Sequence, residues 1–284
     1  MLTLMYITNQ PNIAEIAQDA GVNRIFVDME YIGKDERQGG MDTVQNHHTV
    51  EDVKNIRKVL DKSDLLVRVN PIHDHSEQEV ESVINAGADI IMLPMWKTPD
   101  DVKTFLKFVH GRCKTMLLLE NEQAVTCLDE VLKMQGIDEI HIGLNDLHLS
   151  MNRTFLFQLL ADGTVESITQ KIKKAEIPFG FGGFGKLGDG LLNADYIVAE
   201  HYRLGSSMSI LSRAFCDTKK ITDEEQIKQI FYNGVHAVRE FEDYLLQQDS
   251  SYFEQSHEKL CSCIDEIVRR KSGCISHLKD FAIL

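Results

Sequence analysis

The chain has 284 residues, 43% of them hydrophobic and 26% charged, with a formal net charge of −14 at pH 7. This composition is that of an ordinary globular protein. The acidity argues against nucleic acid or an anionic membrane as a partner, because both repel an acidic surface. The first residues, MLTLMYITNQPNIAEI, lack the basic and long apolar regions of a signal peptide. No apolar run approaches the ~20 residues that cross a bilayer. We therefore expect a cytoplasmic protein with reduced cysteines.

Short apolar runs alternate with amphipathic segments along the first three quarters of the chain. The runs predict eight strands, at Leu2–Ile7, Arg24–Met29, Leu65–Val69, Ile90–Leu93, Thr115–Leu119, Glu139–Ile142, Pro178–Phe181 and Tyr196–Ala199. The segments between them predict helices, at Asn12–Ala20, Val50–Leu60, Glu77–Ala86, Pro99–Val109, Glu122–Met134 and Thr164–Ala175. Eight strands alternating with helices favour an α/β fold, a (β/α)8 TIM barrel, over an open doubly wound sheet.

Local signals agree with these boundaries. Thr49 to Asp52 resembles a capping box, and Thr98 before Pro99 suits the start of a helix. The glycine-rich stretch FGFGGFGKLGDG, residues Phe179–Gly190, could bind a phosphate. We interpret it instead as a flexible loop or tight turn, because glycines alone are a weak signal.

The pattern changes after Phe215, where apolar residues recur at helical spacing. They are Ile227, Ile230, Phe231, Val235, Val238, Phe241 and Leu245, and a second helical stretch follows near Phe253–Arg270. We predict a barrel domain over residues 1–216 and a C-terminal helical hairpin over residues 217–284. The hairpin would pack on the barrel or on a neighbouring subunit of a homo-oligomer. Cys261 and Cys263 form a CxC pair without a second pair at zinc spacing, so we interpret them as structural.

In a TIM barrel the chemistry lies at the carboxyl ends of the strands. The polar residues predicted there are Asp28 and Glu30, Arg68 and Asn70, Glu120, Asn145, Asp146 and His148, and, after strand eight, Glu200 and His201. Because side chains two residues apart share a strand face, Asp28 and Glu30 would point together and need a balancing charge.

Strands five and six are predicted neighbours, so Glu120 and Asp146 would converge. Two carboxylates that close repel unless a cation separates them, and all-oxygen ligation suits Mg²⁺ or Mn²⁺. Arg68 would add a permanent positive charge at the same mouth, giving an anion-binding site. The alternative is that each acid is a helix N-cap or a solvated loop residue.

The segments GVNRIFVDMEYIG, LLVRVNP, AGADIIMLPM, MLLLENEQA and IHIGLNDLH resemble the HpcH/HpaI aldolase and citrate lyase β-subunit family, within the phosphoenolpyruvate/pyruvate superfamily of barrels. The resemblance covers about residues 1–215. It implies a divalent-metal-dependent class II aldolase or related carbon–carbon lyase. It implies that Glu120 and Asp146 bind the metal, that Arg68 faces the enolate oxygen, and that backbone amides around Leu144 and Asn145 hold the substrate carboxylate.

The chain departs from the family pattern at Tyr31. Family aldolases carry Asp-x-Glu-His there, with the histidine paired to the Asp as general acid/base, whereas this chain has Asp28-Met29-Glu30-Tyr31. Tyrosine, with an unperturbed pKa near ~10, is a poor base at neutral pH. His47 or His48, in the following loop, is the candidate replacement, and a solvated loop histidine is the alternative for each. Arg37 and Gly39-Gly40 could bind a second anionic group.

These observations predict a lyase acting through a pyruvate enolate on a small 2-oxo acid, with oxaloacetate decarboxylation as a possible side activity. Its catalytic residues would be Arg68, Asp28, Glu30, Tyr31 and His48. Two alternatives stay open: a non-catalytic relative that binds an oxo acid, and an acyl-CoA lyase of the citrate lyase β-subunit type. The second ranks lower because the sequence has no evident basic cluster for a CoA phosphate.

Overall fold

A closed barrel of eight parallel strands forms the centre of the molecule. The computed structural model describes residues 1–33 and 48–280, with side chains as far as residue 271. The strands are β1 Thr3–Ile7, β2 Arg24–Asp28, β3 Asp64–Arg68, β4 Ile90–Leu93, β5 Lys114–Leu119, β6 Glu139–Ile142, β7 Phe179–Phe184 and β8 Met208–Leu211. They follow one another around the barrel, and β8 closes it on β1. The predicted TIM barrel is confirmed.

The helices are α1 Pro11–Asp19, α2 Val50–Val59, α3 Ser76–Asn85, α4 Pro99–Val109, α5 Glu122–Val131, α6 Leu144–Ser150, α7 Gln158–Ala161, α8 Thr164–Lys174, α9 Ala194–Leu204, α10 Glu224–Leu245 and α11 Ser250–Asp280. The predicted capping box at Thr49 starts α2, and Thr98 before Pro99 starts α4 as predicted, there too with a capping box. Within the described residues, no helix is both long and apolar enough to cross a membrane.

Alternation along the strands separates two cores. Side chains facing outward pack against the helices, whereas a smaller cluster inside the barrel includes Met5, Phe26, Leu66 and Met116. Since strand side chains alternate, Asp28, Arg68 and Glu120 continue the inward rows toward the carboxyl ends. Apolar side chains therefore fill the interior of the barrel, and polar side chains occupy its carboxyl-terminal mouth.

The prediction of strand eight at Tyr196–Ala199 is wrong, because these residues lie in α9 and the eighth strand is Met208–Leu211. The Asn193 side chain caps the start of α9, and Gly205 ends it with a left-handed φ of 70°. A short apolar run fits a buried helix as well as a strand, so its periodicity could not distinguish them.

Glu200 and His201 consequently do not follow a strand. Both lie in α9 and are buried. His201 stacks on Phe181, with 3.8 Å between ring centroids, and burial lowers its pKa to about 3.

The loop prediction for Phe179–Gly190 is wrong for its first half, since Phe179–Phe184 is β7. Glycine is needed there for a close approach. A Cβ on Gly180 would lie 2.4 Å from the carbonyl oxygen of Met208 on β8.

The two C-terminal helices follow the barrel, as predicted, and α10 is tied to it. The Glu242 carboxylate accepts from the Leu2 backbone N–H, and Arg239 donates to the Leu2 carbonyl oxygen at 2.9 Å. The division into domains at residue 216 stays a prediction.

Candidate active site

Arg68 and Asp28 face each other across neighbouring strands at the barrel mouth. They are register partners in the β2–β3 pairing, and Nε and Nη2 of Arg68 each donate to Asp28 at 2.8 Å. Nη1 lies 3.3 Å from Oε2 of Glu30. Asp28 and Glu30 are 1% and 2% exposed. Burial alone would lower the pKa of Arg68, but the negative charges of Asp28 and Glu30 raise it above the ordinary value. Arg68 therefore offsets part of the charge of the two acids by pairing with both.

Glu120 lies just after β5 in the same charged cluster. Burial raises its pKa well above 4.5, and the charges of Glu30 and Asp146 raise it further. Arg68 opposes this effect, as does the backbone N–H of Met95, which donates to Oε1 at 2.9 Å. Ionisation of Glu120 is thus costly even beside Arg68.

Two backbone features position the Glu120 carboxylate. Met95, after β4, donates its backbone N–H to Glu120. Its φ of 50° is left-handed, a conformation that is strained for a methionine. On the other side, a Cβ on Gly143 would lie 2.9 Å from Cβ and 3.1 Å from Oε2 of Glu120. Neither residue was predicted from the sequence. Met95 acts through its backbone and leaves no sequence signal, whereas Gly143 precedes the LND segment and could have been suspected.

Asp146 lies in the first turn of α6, which begins at Leu144 immediately after β6 and the glycine at position 143. Its charge acts on Glu120, as expected for neighbouring strand ends. Leu144 is buried and Asn145 is half-buried. Because the first N–H groups of a helix have no intrahelical partner, the amides of Leu144 and Asn145 suit an acceptor at the mouth. His148 is instead buried, with Nδ1 3.1 Å from the Leu144 carbonyl oxygen.

Tyr31 and His48 differ in their relation to the cluster. The Tyr31 side chain is 58% exposed, while its backbone N–H donates to Oδ1 of Asn70 at 3.0 Å. The backbone N–H of Asp28 donates to Nδ1 of His48 at 3.0 Å. A neutral imidazole that accepts through Nδ1 carries its proton on Nε2. In this geometry, neutral His48 can donate from Nε2 and has no ring lone pair left for a base.

Asn70 shapes the start of the loop after β2. Its Oδ1 also accepts from the Ile32 N–H at 3.0 Å, and its Nδ2 donates to Glu79 at 2.7 Å. The predicted residues His47, Arg37 and Gly39-Gly40 lie outside the described residues.

The site fits a divalent cation by the chemistry of its donors. Burial and the negative charges of Glu30 and Asp146 raise the Glu120 pKa, and a cation between Glu120 and Asp146 would oppose them, since carboxylate oxygens are preferred ligands of Mg²⁺ and Mn²⁺. Within the described part of the chain, no group of three or more His, Cys, Asp or Glu side chains is arranged to hold a metal ion. Among the described residues, the proposed ligands are the carboxylates of Glu120 and Asp146, and a cation held by these two would keep further coordination positions.

Comparison with known proteins agrees with this architecture. The family model described as HpcH/HpaI aldolase/citrate lyase matches residues 2–177. No curated protein matches the sequence significantly.

Solved structures similar to the chain include an HpcH/HpaI aldolase from Desulfitobacterium hafniense DCB-2, with a TM-score of 0.58 and 15% identity over 80% of this chain and 93% of that one. The citrate synthase SbnG has a TM-score of 0.59 and 14% identity over 80% and 92%. A citrate lyase from Burkholderia xenovorans LB400 has a TM-score of 0.56 and 12% identity over 94% and 92%. At these identities the likeness shows the fold alone.

Proposed function

This chain belongs to the HpcH/HpaI aldolase/citrate lyase family, whose members are lyases, and from that premise we propose that it is a divalent-metal-dependent carbon–carbon lyase. It would act through a pyruvate enolate on a small 2-oxo acid, such as oxaloacetate. The observation that carries the proposal is the position of Arg68. Its guanidinium is fixed by Asp28 and Glu30 beside Glu120, at the carboxyl-terminal mouth of a closed barrel.

Arg68 is the residue that stabilises developing charge. Its Nε and Nη2 each donate one N–H to Asp28, and Nη1 forms an ion pair with Glu30 at 3.3 Å. Because a guanidinium carries five N–H groups, donors beyond the two that bind Asp28 can serve a substrate oxygen. When the carbon–carbon bond of a 2-oxo acid breaks, negative charge collects on the keto oxygen. A fixed guanidinium stabilises that charge more in the transition state than in the substrate.

The substrate carboxylate would be bound at the start of α6, where the amides of Leu144 and Asn145 can donate. Glu120 and Asp146 would hold the metal, Mg²⁺ or Mn²⁺, which when bound supplies Lewis-acid polarisation of the keto group. The Met95 N–H and the absent side chain of Gly143 keep the Glu120 carboxylate in place.

Proton transfer separates decarboxylation from aldol chemistry in this chain. The exposed Tyr31 stands where the family histidine would be, and neutral His48, whose Nδ1 accepts from the Asp28 N–H, has no ring lone pair left to act as a base. Decarboxylation of an oxo acid needs a stabilised enolate and no strong base in its bond-breaking step, so it suits these residues best.

A pyruvate-release assay with oxaloacetate and Mn²⁺ tests the proposal. Glu120→Gln removes the charge at nearly constant shape, and Glu122→Gln is the matched control, because Glu122 is exposed two residues further along the chain. We expect release that a chelator and Glu120→Gln abolish and Glu122→Gln preserves. Release that persists through both treatments would contradict the metal assignment.

A non-catalytic oxo-acid-binding protein is the second candidate. Its support is that, among the described residues, Tyr31 is exposed and neutral His48 has its Nδ1 lone pair occupied. This candidate predicts thermal stabilisation by Mn²⁺ and pyruvate together, without turnover on a panel of oxo acids and aldehydes. Turnover of any of them excludes it.

A further inference from the structure

A cysteine, a histidine and a glutamate form a chain of contacts away from the barrel mouth. Sγ of Cys261 lies 3.5 Å from Nε2 of His257, and Nδ1 of His257 lies 3.1 Å from Oε1 of Glu200. Cys261 and His257 are one turn apart on α11, and Glu200 is on α9. None of the three belongs to the candidate active site, since Glu200, expected after strand eight from the sequence, lies in α9.

The contacts fix which ring nitrogen can act as a base. A carboxylate only accepts hydrogen bonds, so Nδ1 of His257 carries the proton that it donates to Glu200. In the neutral ring, Nε2 then holds the lone pair and faces the thiol. This is the arrangement in which a histidine, oriented by a carboxylate, activates a nucleophile.

Glu200, which orients His257, is itself held by a second contact. Glu200 is 1% exposed and pairs with Arg203, which also lies 3.0 Å from Glu166. Glu200 thus contacts Arg203 and His257 together and holds the His257 ring in a fixed orientation.

Cys127 provides a contrast within the same chain. Its Sγ donates to the carbonyl oxygens of Lys97 and Ala124, at 3.5 and 3.7 Å. A carbonyl oxygen cannot take the thiol proton at neutral pH, so Cys127 has no base at the sulfur. Cys263, two residues beyond Cys261, is also half-buried, and its sulfur contacts no histidine among the described side chains.

We propose that Cys261 is a base-assisted nucleophilic thiol and a site of modification by small-molecule disulfides. The thiol proton moves from Sγ to Nε2 of His257, and the sulfur attacks one sulfur of the disulfide RS–SR. The Cys261–S–SR bond forms as the S–S bond breaks, and the leaving thiolate takes the proton back from His257 as RSH. The disulfide is the oxidant, so the exchange balances without another reactant. A small reagent is required because Cys261 lies half-buried between α11 and α9.

Burial is the main cause that raises the pKa of Cys261, and the charge of Glu200 adds to it. The resting group is therefore the thiol, and its reaction depends on the base.

The test measures the rate of mixed-disulfide formation with the aromatic disulfide DTNB on the full-length protein, with the modified residue identified by peptide mapping. We expect Cys261 to react at least about 10-fold faster than Cys263 at neutral pH, since general-base assistance contributes factors of that order and above. His257→Gln should remove this advantage. His236→Gln is the matched control, because His236 pairs with Glu240 on α10 in an exposed position.

Equal rates at Cys261 and Cys263 in the unmodified sequence overturn the proposal, whatever the variants do. It is also overturned if His257→Gln leaves the Cys261 rate unchanged. Thermal melts of each variant show whether His257→Gln loosens α11. A fall in the Cys261 rate with unchanged Cys263 labelling supports the proposal, whereas loosening would raise both rates.

Discussion

Asp28 and Arg68, on adjacent strands β2 and β3, are joined by two parallel hydrogen bonds of 2.8 Å. The pair is nearly enclosed, with side-chain exposures of 1% and 14%. Paired guanidinium and carboxylate forks fix orientation as well as charge, since both groups are planar. The guanidinium that faces the barrel mouth is therefore held in one direction before any substrate binds.

Two replacements of Arg68 test its contributions to stability and to activity separately. Arg68→Met leaves Asp28 and Glu30 buried without their shared cation, and we expect the free energy of unfolding to fall by about 3–5 kcal/mol. Arg68→Lys keeps the charge but loses the planar pair of hydrogen bonds to Asp28, so we expect pyruvate release to fall by about 10²–10³-fold. Urea denaturation and kinetics provide the measurements. Arg112→Met, which breaks an exposed pair with Glu81, is the control and should cost about 1 kcal/mol or less.

Glu120→Gln should stabilise the metal-free protein, and more so as pH rises. The folded-state pKa of Glu120 lies above the ordinary value of 4.5. A group with a raised pKa contributes stability that is fully present below 4.5 and is lost as pH rises through the folded-state pKa. Glutamine does not ionise, and its amide oxygen can still accept from Met95. Urea denaturation of both proteins in chelator, at several pH values from below 4.5 to neutral, measures the difference in the free energy of unfolding. A wild type that is more stable than Glu120→Gln near neutral pH would refute the account.

Gly143→Ala should disturb Glu120 without straining the backbone. Gly143 has φ −81° and ψ 87°, which alanine can adopt, but the new Cβ would lie 2.9 Å from Cβ of Glu120. We expect a loss of pyruvate release of about 10-fold or more, because small displacements of catalytic groups are costly. The free energy of unfolding should fall by about 1–3 kcal/mol, the usual cost of overpacking. Unchanged kinetics would show that the Glu120 position does not matter.

His48 and Tyr31 should differ in importance. His48→Ala removes the acceptor for the Asp28 N–H beside the Asp28–Arg68 pair, and we expect kcat/KM to fall by about 10-fold or more because small displacements of catalytic groups are costly. Tyr31→Phe removes a hydroxyl from a side chain that is 58% exposed, so kcat/KM should stay within about twofold of the wild type. Steady-state kinetics on oxaloacetate compares them. A larger loss of kcat/KM in Tyr31→Phe than in His48→Ala would instead assign the acid/base role to Tyr31.

The sequence predicted most of the barrel because parallel strands are covered on both faces and appear as short apolar runs between amphipathic helices. It failed at α9, where a buried helix such as Tyr196–Ala199 has the same composition as a strand. The true β8, Met208–Leu211, has only four residues and contains a serine, so its signal is weak.

At the site, the sequence predicted the residues whose side chains carry charge. Asp28, Glu30 and Arg68 are paired as their strand positions required. It could not predict Met95, whose contribution is a backbone N–H in a strained conformation. Nor could it predict the direction of the His48 ring, which depends on a hydrogen bond to the main chain of Asp28.

Titration of the metal-free protein with Mn²⁺, followed by calorimetry, tests the central claim most directly. The account predicts one binding event per chain that is lost in Glu120→Gln and in Asp146→Asn and kept in Glu122→Gln. Binding that is equally strong in all four proteins would contradict it, because the two carboxylates at the mouth would then not be the ligands.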